Sequence, residues 1–230
     1  APAAARVSRV GTDAAFAPVE FQGEGSEEYT GFDMDLMRAI GKQMGYEVQI
    51  QNMGFDGLIP GLESGTVDAI ISAMTITEER SKKINLSKPY YKSGLTIVVK
   101  SDNTTTKNFA DLTGKKIGVQ IGTTGAAEAK KIKDAQVREF NSAPEAFLEL
   151  KAGGVDAVVN DKPVNDYYIA KAGGKDAKEV GQPLTAEEYG IGTAKKNKEL
   201  SEKIDKALDE LKKNGEYDKI YMKWFGKKPQ

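Results

Sequence analysis

Two stretches decide how this chain is read: Gly65-Thr66-Val67-Asp68-Ala69-Ile70-Ile71 and, 88 positions further on, Gly153-Gly154-Val155-Asp156-Ala157-Val158-Val159. Each opens on glycine and runs through a Val-Asp pair into a strand-sized apolar segment. Repetition is sought first because a repeated unit fixes the architecture before any single element is assigned. Upstream of each stretch lies an apolar helical pattern, Phe55/Leu58/Ile59/Leu62 and Ala146/Phe147/Leu150. Before those come Glu47-Val48-Gln49-Ile50 and Gln136-Val137-Arg138-Glu139, matched at a shift of 89. Earliest in each series stand Arg9-Val10-Gly11 and Lys116-Ile117-Gly118. An ordered series of this kind implies two halves of common architecture.

Each half reads strand, helix, strand, helix, strand. In the first, strands fall at residues 7–12, 47–52 and 67–72. Phe32, Leu36, Met37, Ile40 and Met44 form a helical stripe that stops at Gly45, and a second helix covers 55–64. The second half runs 116–120, 124–133, 136–140, 144–152 and 155–160, with Pro144 in a first helical turn, where proline is accepted. Alternating strands and helices predict α/β lobes with parallel sheets and right-handed crossovers. The tail carries two helices, one on Leu200, Ile204, Leu208 and Leu211, the other on Tyr217, Ile220, Tyr221 and Trp224, whose aromatics read as core packing. Residues 90–100 and 187–193 read as paired extended connectors between the lobes.

The totals narrow the function. The 230 residues, 39% apolar and 29% charged, can build one large or two small domains. Lys+Arg 33 against Asp+Glu 34 gives a net charge of -1, which argues against a general binder of nucleic acid or anionic membranes. No apolar run approaches the ~20 residues that cross a bilayer. Residues 1–5, small and apolar, fit the stub of a cleaved leader or a cloning remnant. Cys and His are absent, which removes thiolate nucleophiles, disulfides, Cys/His zinc sites and every Ser-His or Cys-His pair. Asp33/Asp35 lack the loop glycine and further ligands of a calcium site and read as a solvated helix start, so no metal is expected. The glycine-rich 118–125 lacks the lysine of a phosphate loop, so no nucleotide cofactor is expected either.

Parallel sheets place ligands beyond the carboxyl ends of their strands. That rule selects Asp13, residues 72–75, residues 120–124, and Asn160-Asp161. These segments together resemble a known family. Val10-Gly11-Thr12-Asp13-Ala14-Ala15-Phe16-Ala17-Pro18, Gly31-Phe32-Asp33-Met34-Asp35-Leu36, Thr75-Ile76-Thr77-Glu78-Glu79-Arg80 and Tyr90-Tyr91 are similar to polar amino-acid solute-binding proteins of ABC importers. So are Gly122-Thr123-Thr124, Asn160-Asp161, Asn214-Gly215-Glu216-Tyr217 and Lys223-Trp224-Phe225. Glutamine-binding and lysine/arginine/ornithine-binding members share most of the pattern, which covers nearly the whole chain in order.

The resemblance implies a periplasmic binding protein-like, type II fold: two similar α/β lobes joined by two extended hinge strands, with the ligand cleft between them. It implies a discontinuous first lobe at 1–90 and 189–230, a second at 95–184, and hinges near 90–94 and 185–189. It also implies closure over the ligand, a monomer, delivery to a membrane permease, and a periplasmic or extracellular location held at the membrane by the transporter or a lipid anchor.

A free amino acid offers a carboxylate, an ammonium and a side chain. Arginine's planar fork suits the carboxylate, and the family assigns that role to the position of Arg80. The competing reading is a surface ion pair with Glu78 or Glu79. Thr75, Thr123 and Thr124 add donors, Thr124 at a helix start, where unpaired N–H groups attract anions. Asp161, by resemblance, takes the ammonium together with the Ala73 carbonyl beside Ser72; its alternative is a helix cap. Phe16 and Phe55 would wall the ligand stem and offer a π face. Asp13 and Gln120 would set specificity. Asp13 is acceptor-only, and Gln120 stands where the glutamine branch carries a lysine that would repel a cation. Asn160 departs from both branches and residues 90–94 follow the glutamine branch, so arginine and glutamine are both expected, arginine somewhat favoured. This mixture, without His or Cys, points to a reconstructed or designed member. The rival readings are a cyclohexadienyl dehydratase-like enzyme on the same fold, which would need a cleft acid with a shifted pKa, and the ligand-sensing domain of a receptor.

Overall fold

The computed structural model describes residues 6–22, 28–171 and 175–229, and the apolar start lies outside them. Over the described residues the chain divides into two compact units, residues 6–14 with 18–22, 28–91 and 188–229, and residues 15–17 with 92–171 and 175–187.

The first unit begins with β1 (Arg6–Thr12); β2 (Ala15–Phe16) groups with the second unit, and β3 (Glu20–Gln22) and β4 (Tyr29–Thr30), back in the first, pair antiparallel. Helix α1 (Phe32–Met44) follows and ends at Gly45, whose φ of 76° is left-handed and suits glycine. Next come β5 (Tyr46–Asn52), a 3-10 turn at Phe55–Gly57 leading into α2 (Leu58–Glu63), β6 (Ala69–Ile70), α3 (Glu78–Lys83) and β7 (Ile84–Leu86). The chain leaves through β8 (Tyr91–Ser93).

The second unit holds β9 (Leu95–Lys100), β10 (Lys116–Gln120), α4 (Thr124–Ala129), β11 (Gln136–Phe140), α5 (Ala143–Ala152), β12 (Ala157–Asp161), α6 (Lys162–Lys171) and β13 (Ala177–Val180). Helix α5 starts on a full capping box between Ser142 and Glu145. The chain returns through β14 (Glu187–Tyr189), which pairs with β8, to β15 (Gly192–Ala194), α7 (Lys198–Lys213) and α8 (Glu216–Phe225).

The two main sheets have one topology. Their orders are β5-β1-β6-β15-β7 and β11-β10-β12-β9-β13. In each, the first three strands are parallel. The fourth is antiparallel to both its neighbours. The expectation of wholly parallel sheets is therefore corrected, and so is the reading of 90–100 and 187–193 as connectors throughout. Only Tyr91–Ser93 and Glu187–Tyr189 pair as connectors. The apolar run of Leu95–Lys100 is a buried sheet strand, and β15 fills the matching place in the first sheet.

The repeated motif has a physical explanation. Asp68 N–H donates to the Arg9 carbonyl at 2.8 Å, and its carboxylate accepts the Arg9 N–H at 2.8 Å. Asp156 does the same with Lys116, at 2.8 and 2.9 Å. Each aspartate thus locks the start of its strand against the first strand of its sheet. Val67 and Val155 are buried directly before it.

Strand register also sets the true equivalences. Val10 pairs with Ala69 and Ile117 with Ala157, so the first strands are offset by 107 positions and the third by 88. The difference is the β2–β4 insertion. Val10 also pairs with Ile50, and Ile117 with Val137, an offset of 87 rather than the expected 89. A two-residue slip keeps every side chain on its face, so alternation cannot detect it.

The units have separate cores, one around Leu58, Leu62, Ile70 and Met74, the other around Ile97, Val99, Val119 and Val159. A further aromatic cluster ties the tail to the first unit. Phe32, fully buried, lies 5.1 to 6.2 Å from the rings of Tyr90, Tyr91, Tyr217, Tyr221 and Phe225. The Tyr217 hydroxyl donates to the Tyr90 carbonyl. Truncating Phe32 at this hub removes a ring the neighbours cannot replace. Phe32→Ala is expected to cost about 3–5 kcal/mol, read from urea denaturation; a loss under about 1 kcal/mol would show that the cluster is not a cohesive core.

Candidate functional site

The strand ends of the first unit gather several of the selected residues. Asp13 follows β1 and is buried; its N–H donates to Ser72 Oγ at 3.0 Å. Ser72, beyond the end of β6, donates in turn to Glu20 Oε1 at 2.7 Å. Ala73 follows with φ 48°, a left-handed conformation uncommon for a residue with a Cβ. Its N–H donates to Asp33 Oδ2 at 2.8 Å, which holds the turn. Thr75, also buried, bridges to Tyr189 on the return crossing.

Arg80 lies in α3, capped by Thr77, whose hydroxyl accepts the Arg80 N–H at 3.1 Å. Its Nη1 donates to the Thr75 carbonyl at 2.7 Å, and its guanidinium carbon stands 5.5 Å from the Phe55 ring centroid. The carbonyl and the ring face fix the orientation of the guanidinium. Glu78, one partner considered for Arg80, reaches Lys82 at 4.0 Å instead. Phe55 opens its 3-10 turn and is buried, and Phe16 is buried in β2, a strand that groups with the second unit.

In the second unit Gln120 ends β10, buried, and donates through Nε2 to the Asn141 carbonyl at 3.2 Å. Thr123 caps α4: its hydroxyl accepts the Ala126 N–H at 3.1 Å and donates to the Gln120 carbonyl at 2.7 Å. Thr124, the first residue of that helix, donates to Glu187 Oε1 at 2.7 Å. Asp161 ends β12 and is buried. Beside it, Asn165 Nδ2 reaches the Thr96 carbonyl, the Thr96 hydroxyl and the Asn160 carbonyl at 3.3, 2.8 and 3.0 Å.

Three groups at these strand ends were not selected from the sequence. Glu187 ties Thr124 to Thr185, whose hydroxyl donates to its other oxygen at 2.7 Å. Glu20 and Asp33 are both fully buried. This corrects the reading of Asp33 as a solvated helix start. Asp33 stands three and four residues before Leu36 and Met37, on the apolar face, and that spacing carried the signal. Asp35 lies on the other side, accepting from Lys223 Nζ at 2.9 Å and Trp224 Nε1 at 2.8 Å. Burial raises the Asp33 pKa to about 6 and pushes Glu20 well above the carboxylate range.

Among the described residues no group of three or more His, Cys, Asp or Glu side chains is placed to hold a metal ion, and no helix is long and apolar enough to cross a membrane.

Paired mixed sheets crossed twice by short extended segments define a two-lobed periplasmic binding protein of type II. The chain belongs to the bacterial extracellular solute-binding proteins, family 3, whose sequence profile matches residues 8–227. It is 37% identical over 234 residues to the ABC transporter arginine-binding protein 1 of Escherichia coli (strain K12), covering 96% of this chain and 92% of that protein. Among solved structures, an ancestral arginine-binding protein bound to arginine matches with a TM-score of 0.93 and 48% identity, over 96% of this chain and 98% of that one. An ancestral arginine-binding protein bound to glutamine matches with a TM-score of 0.90, again at 48% identity over 96% and 98%. These relatives are binding proteins by name, not enzymes.

Ser72 joins both strand ends of the first unit through one hydroxyl. Ser72→Ala strands a buried N–H and removes a donor from a buried carboxyl, so a loss of about 1–3 kcal/mol is expected in urea denaturation. A change below about 0.5 kcal/mol would detach Ser72 from that network.

Proposed function

We propose that this protein binds a free polar L-amino acid, arginine or glutamine with arginine somewhat favoured, and passes it to an ABC permease without catalysing a reaction. The observation that carries the reading is the placement of Arg80, oriented by the Thr75 carbonyl and the Phe55 ring beside the strand-end turn of Ser72 to Thr75; a guanidinium there suits the ligand carboxylate. Asp161 and the Ala73 carbonyl take the ammonium. Asp13 and Gln120 receive the side chain, and Phe16 and Phe55 flank its stem. Thr75, Ser72, Thr123 and Thr124 complete the site, the last two chiefly through backbone N–H groups because their hydroxyls are engaged by Gln120, Ala126 and Glu187. The arginine-binding names of the relatives, and the ancestral arginine-binding proteins bound to arginine and to glutamine, support the ligand class.

On this reading the lobes are residues 1–90 with 189–230 and residues 95–184, and the hinges are 90–94 and 185–189. The ligand bridges the lobes and draws an open population closed, by no more than its differential affinity for the two states. The protein acts as a monomer in the periplasm or outside the cell, held near the membrane by its transporter or a lipid anchor.

Isothermal titration of ligand-stripped protein against arginine, glutamine, lysine, histidine and glutamate tests the reading. Saturable 1:1 binding of arginine or glutamine is expected. No heat with any of them, together with protein-dependent loss of prephenate, would move the reading to the enzyme. Arg80→Ala should weaken arginine and glutamine alike, by about 2–3 kcal/mol, since both carry the same carboxylate. Asp13→Ala should weaken arginine more than an apolar amino acid, and equal losses would put Asp13 outside the side-chain pocket. Small-angle scattering should show compaction on adding arginine; an unchanged profile would remove closure from the mechanism.

A further inference from the structure

Beneath the strand ends of the first unit lies a pair of acids that the binding scheme does not use. Glu20 Oε2 accepts from Thr12 Oγ1 at 2.9 Å, and Oε1 accepts from Ser72 Oγ at 2.7 Å, the hydroxyl that also holds the Asp13 N–H. Asp33 Oδ2 accepts the Ala73 N–H at 2.8 Å. One acid therefore fastens the Thr12–Asp13 turn and both fasten the Ser72–Ala73 turn. Asp33 Oδ1 is buried with no N–H or O–H partner at hydrogen-bonding geometry, and the Asp33 carboxyl faces both the Glu20 carboxyl and the Tyr90 hydroxyl, which is likewise buried without a partner.

Two carboxylates in contact and shut off from water repel each other in a medium that screens little. A proton on Glu20 turns that contact into an O–H···O⁻ bond, a short and strong kind, and gives Asp33 Oδ1 its missing donor. The other titratable groups facing the pair are Asp13 after β1, Tyr90 ahead of β8, and more remotely Tyr217 of α8. Tyr90 is buried and its own pKa is driven well upward, first by burial and then by the two acids, so it stays neutral and brings no countercharge.

We propose that Glu20 and Asp33 hold one proton between them and, in that singly protonated form, act as the positioning pair for both strand-end turns of the site. The identity of the ligand rests on the amino-acid reading above; the proton does not. Both acids bind protons more tightly folded than unfolded. Their contribution to stability is thus full below the unfolded carboxylate range, and is lost as pH rises through about 6 for Asp33 and higher for Glu20. The two steps belong to the pair rather than to either acid.

Infrared difference spectroscopy of the ligand-free chain at about pH 7.5 reads the proton directly, as a protonated-carboxyl band that moves in D2O, in a range where solvated carboxyls are ionised. The band is expected in the unsubstituted protein and absent from Glu20→Gln, which keeps an N–H donor for Asp33 but has no proton to lose. Glu20→Gln should bind arginine within about threefold of the unsubstituted protein, while Glu20→Ala should lose about tenfold or more. Amide hydrogen exchange should show Asp13 and Ala73 protected in the unsubstituted protein and in Glu20→Gln, and unprotected in Glu20→Ala. Should Glu20→Ala fail to fold, Asp33→Asn serves: it removes the neighbouring charge but not the burial, so the band should persist and titrate away at lower pH than in the unsubstituted protein, while arginine still binds; a band whose titration does not move would detach Glu20 from Asp33. A missing band in the unsubstituted protein, or a Glu20→Gln variant as weak and as unprotected as Glu20→Ala, would overturn the proposal. If no amino acid binds the unsubstituted protein, the ligand reading falls, and the band and the exchange pattern still decide this one.

Discussion

A carboxylate taken out of water must be met by donors, and in the first unit that requirement organises the strand ends. Glu20 and Asp33 together engage the hydroxyls of Thr12 and Ser72 and the N–H of Ala73. Each of those donors belongs to a turn where a parallel strand stops. The turns are consequently held from beneath, by groups with no solvent to compete for them. Ala73 keeps its left-handed backbone because the Asp33 bond over-determines it. Asp13 and the Ala73 carbonyl, the atoms assigned to the ligand, inherit their positions from this layer.

The second unit meets the same requirement with different groups, an amide together with the carboxylates of Asp161 and Glu187. Its sheet repeats the topology of the first, but the chain between β10 and α4 is short, and nothing there corresponds to β2–β4 or to Glu20. Asn165 stands in instead, its one amide reaching Thr96 twice and Asn160 once. A neutral amide fixes geometry at a smaller desolvation cost than a carboxylate does. The repeat is thus one of architecture. The polar layers under the two sets of strand ends differ, and the difference traces to the 107-position offset of the first strands against 88 for the third.

Most of the architecture was legible because burial imposes period. The stripe Phe32, Leu36, Met37, Ile40 gave α1, and the Val-Asp repeats gave β6 and β12, although β6 proved shorter than its apolar run. What period cannot carry is strand direction: the apolar run of Leu95–Lys100 looks the same whether it links lobes or lies antiparallel within a sheet. Nor can it carry a register error of two. Strand-end logic selected the polar positions, because ligands at parallel sheets meet those turns. It missed the acids behind them. Glu20 sits in an irregular segment with no pattern to read, whereas Asp33 lies on the apolar face of α1, and its spacing from Leu36 and Met37 argues against a solvated helix start.

The commitments of individual hydroxyls and amides bear on how specificity could arise. Thr123 spends both functions of its hydroxyl on helix α4 and the Gln120 carbonyl, and Thr124 donates to Glu187, so side-chain donors for the ligand carboxylate in that loop are already engaged. On the amino-acid reading the shared carboxylate then depends heavily on Arg80, and discrimination falls to the groups that meet the side chain. The Gln120 amide is oriented by its Nε2 bond to the Asn141 carbonyl, which leaves Oε1 to act as an acceptor. Asp13, too, is an acceptor. On the amino-acid reading, acceptors of this kind favour an N–H-bearing tip, whether guanidinium or carboxamide, over a carboxylate. On the amino-acid reading a carboxylate such as Asp13 favours a guanidinium by its charge, through a full ion pair where a carboxamide gives only a charge-assisted hydrogen bond.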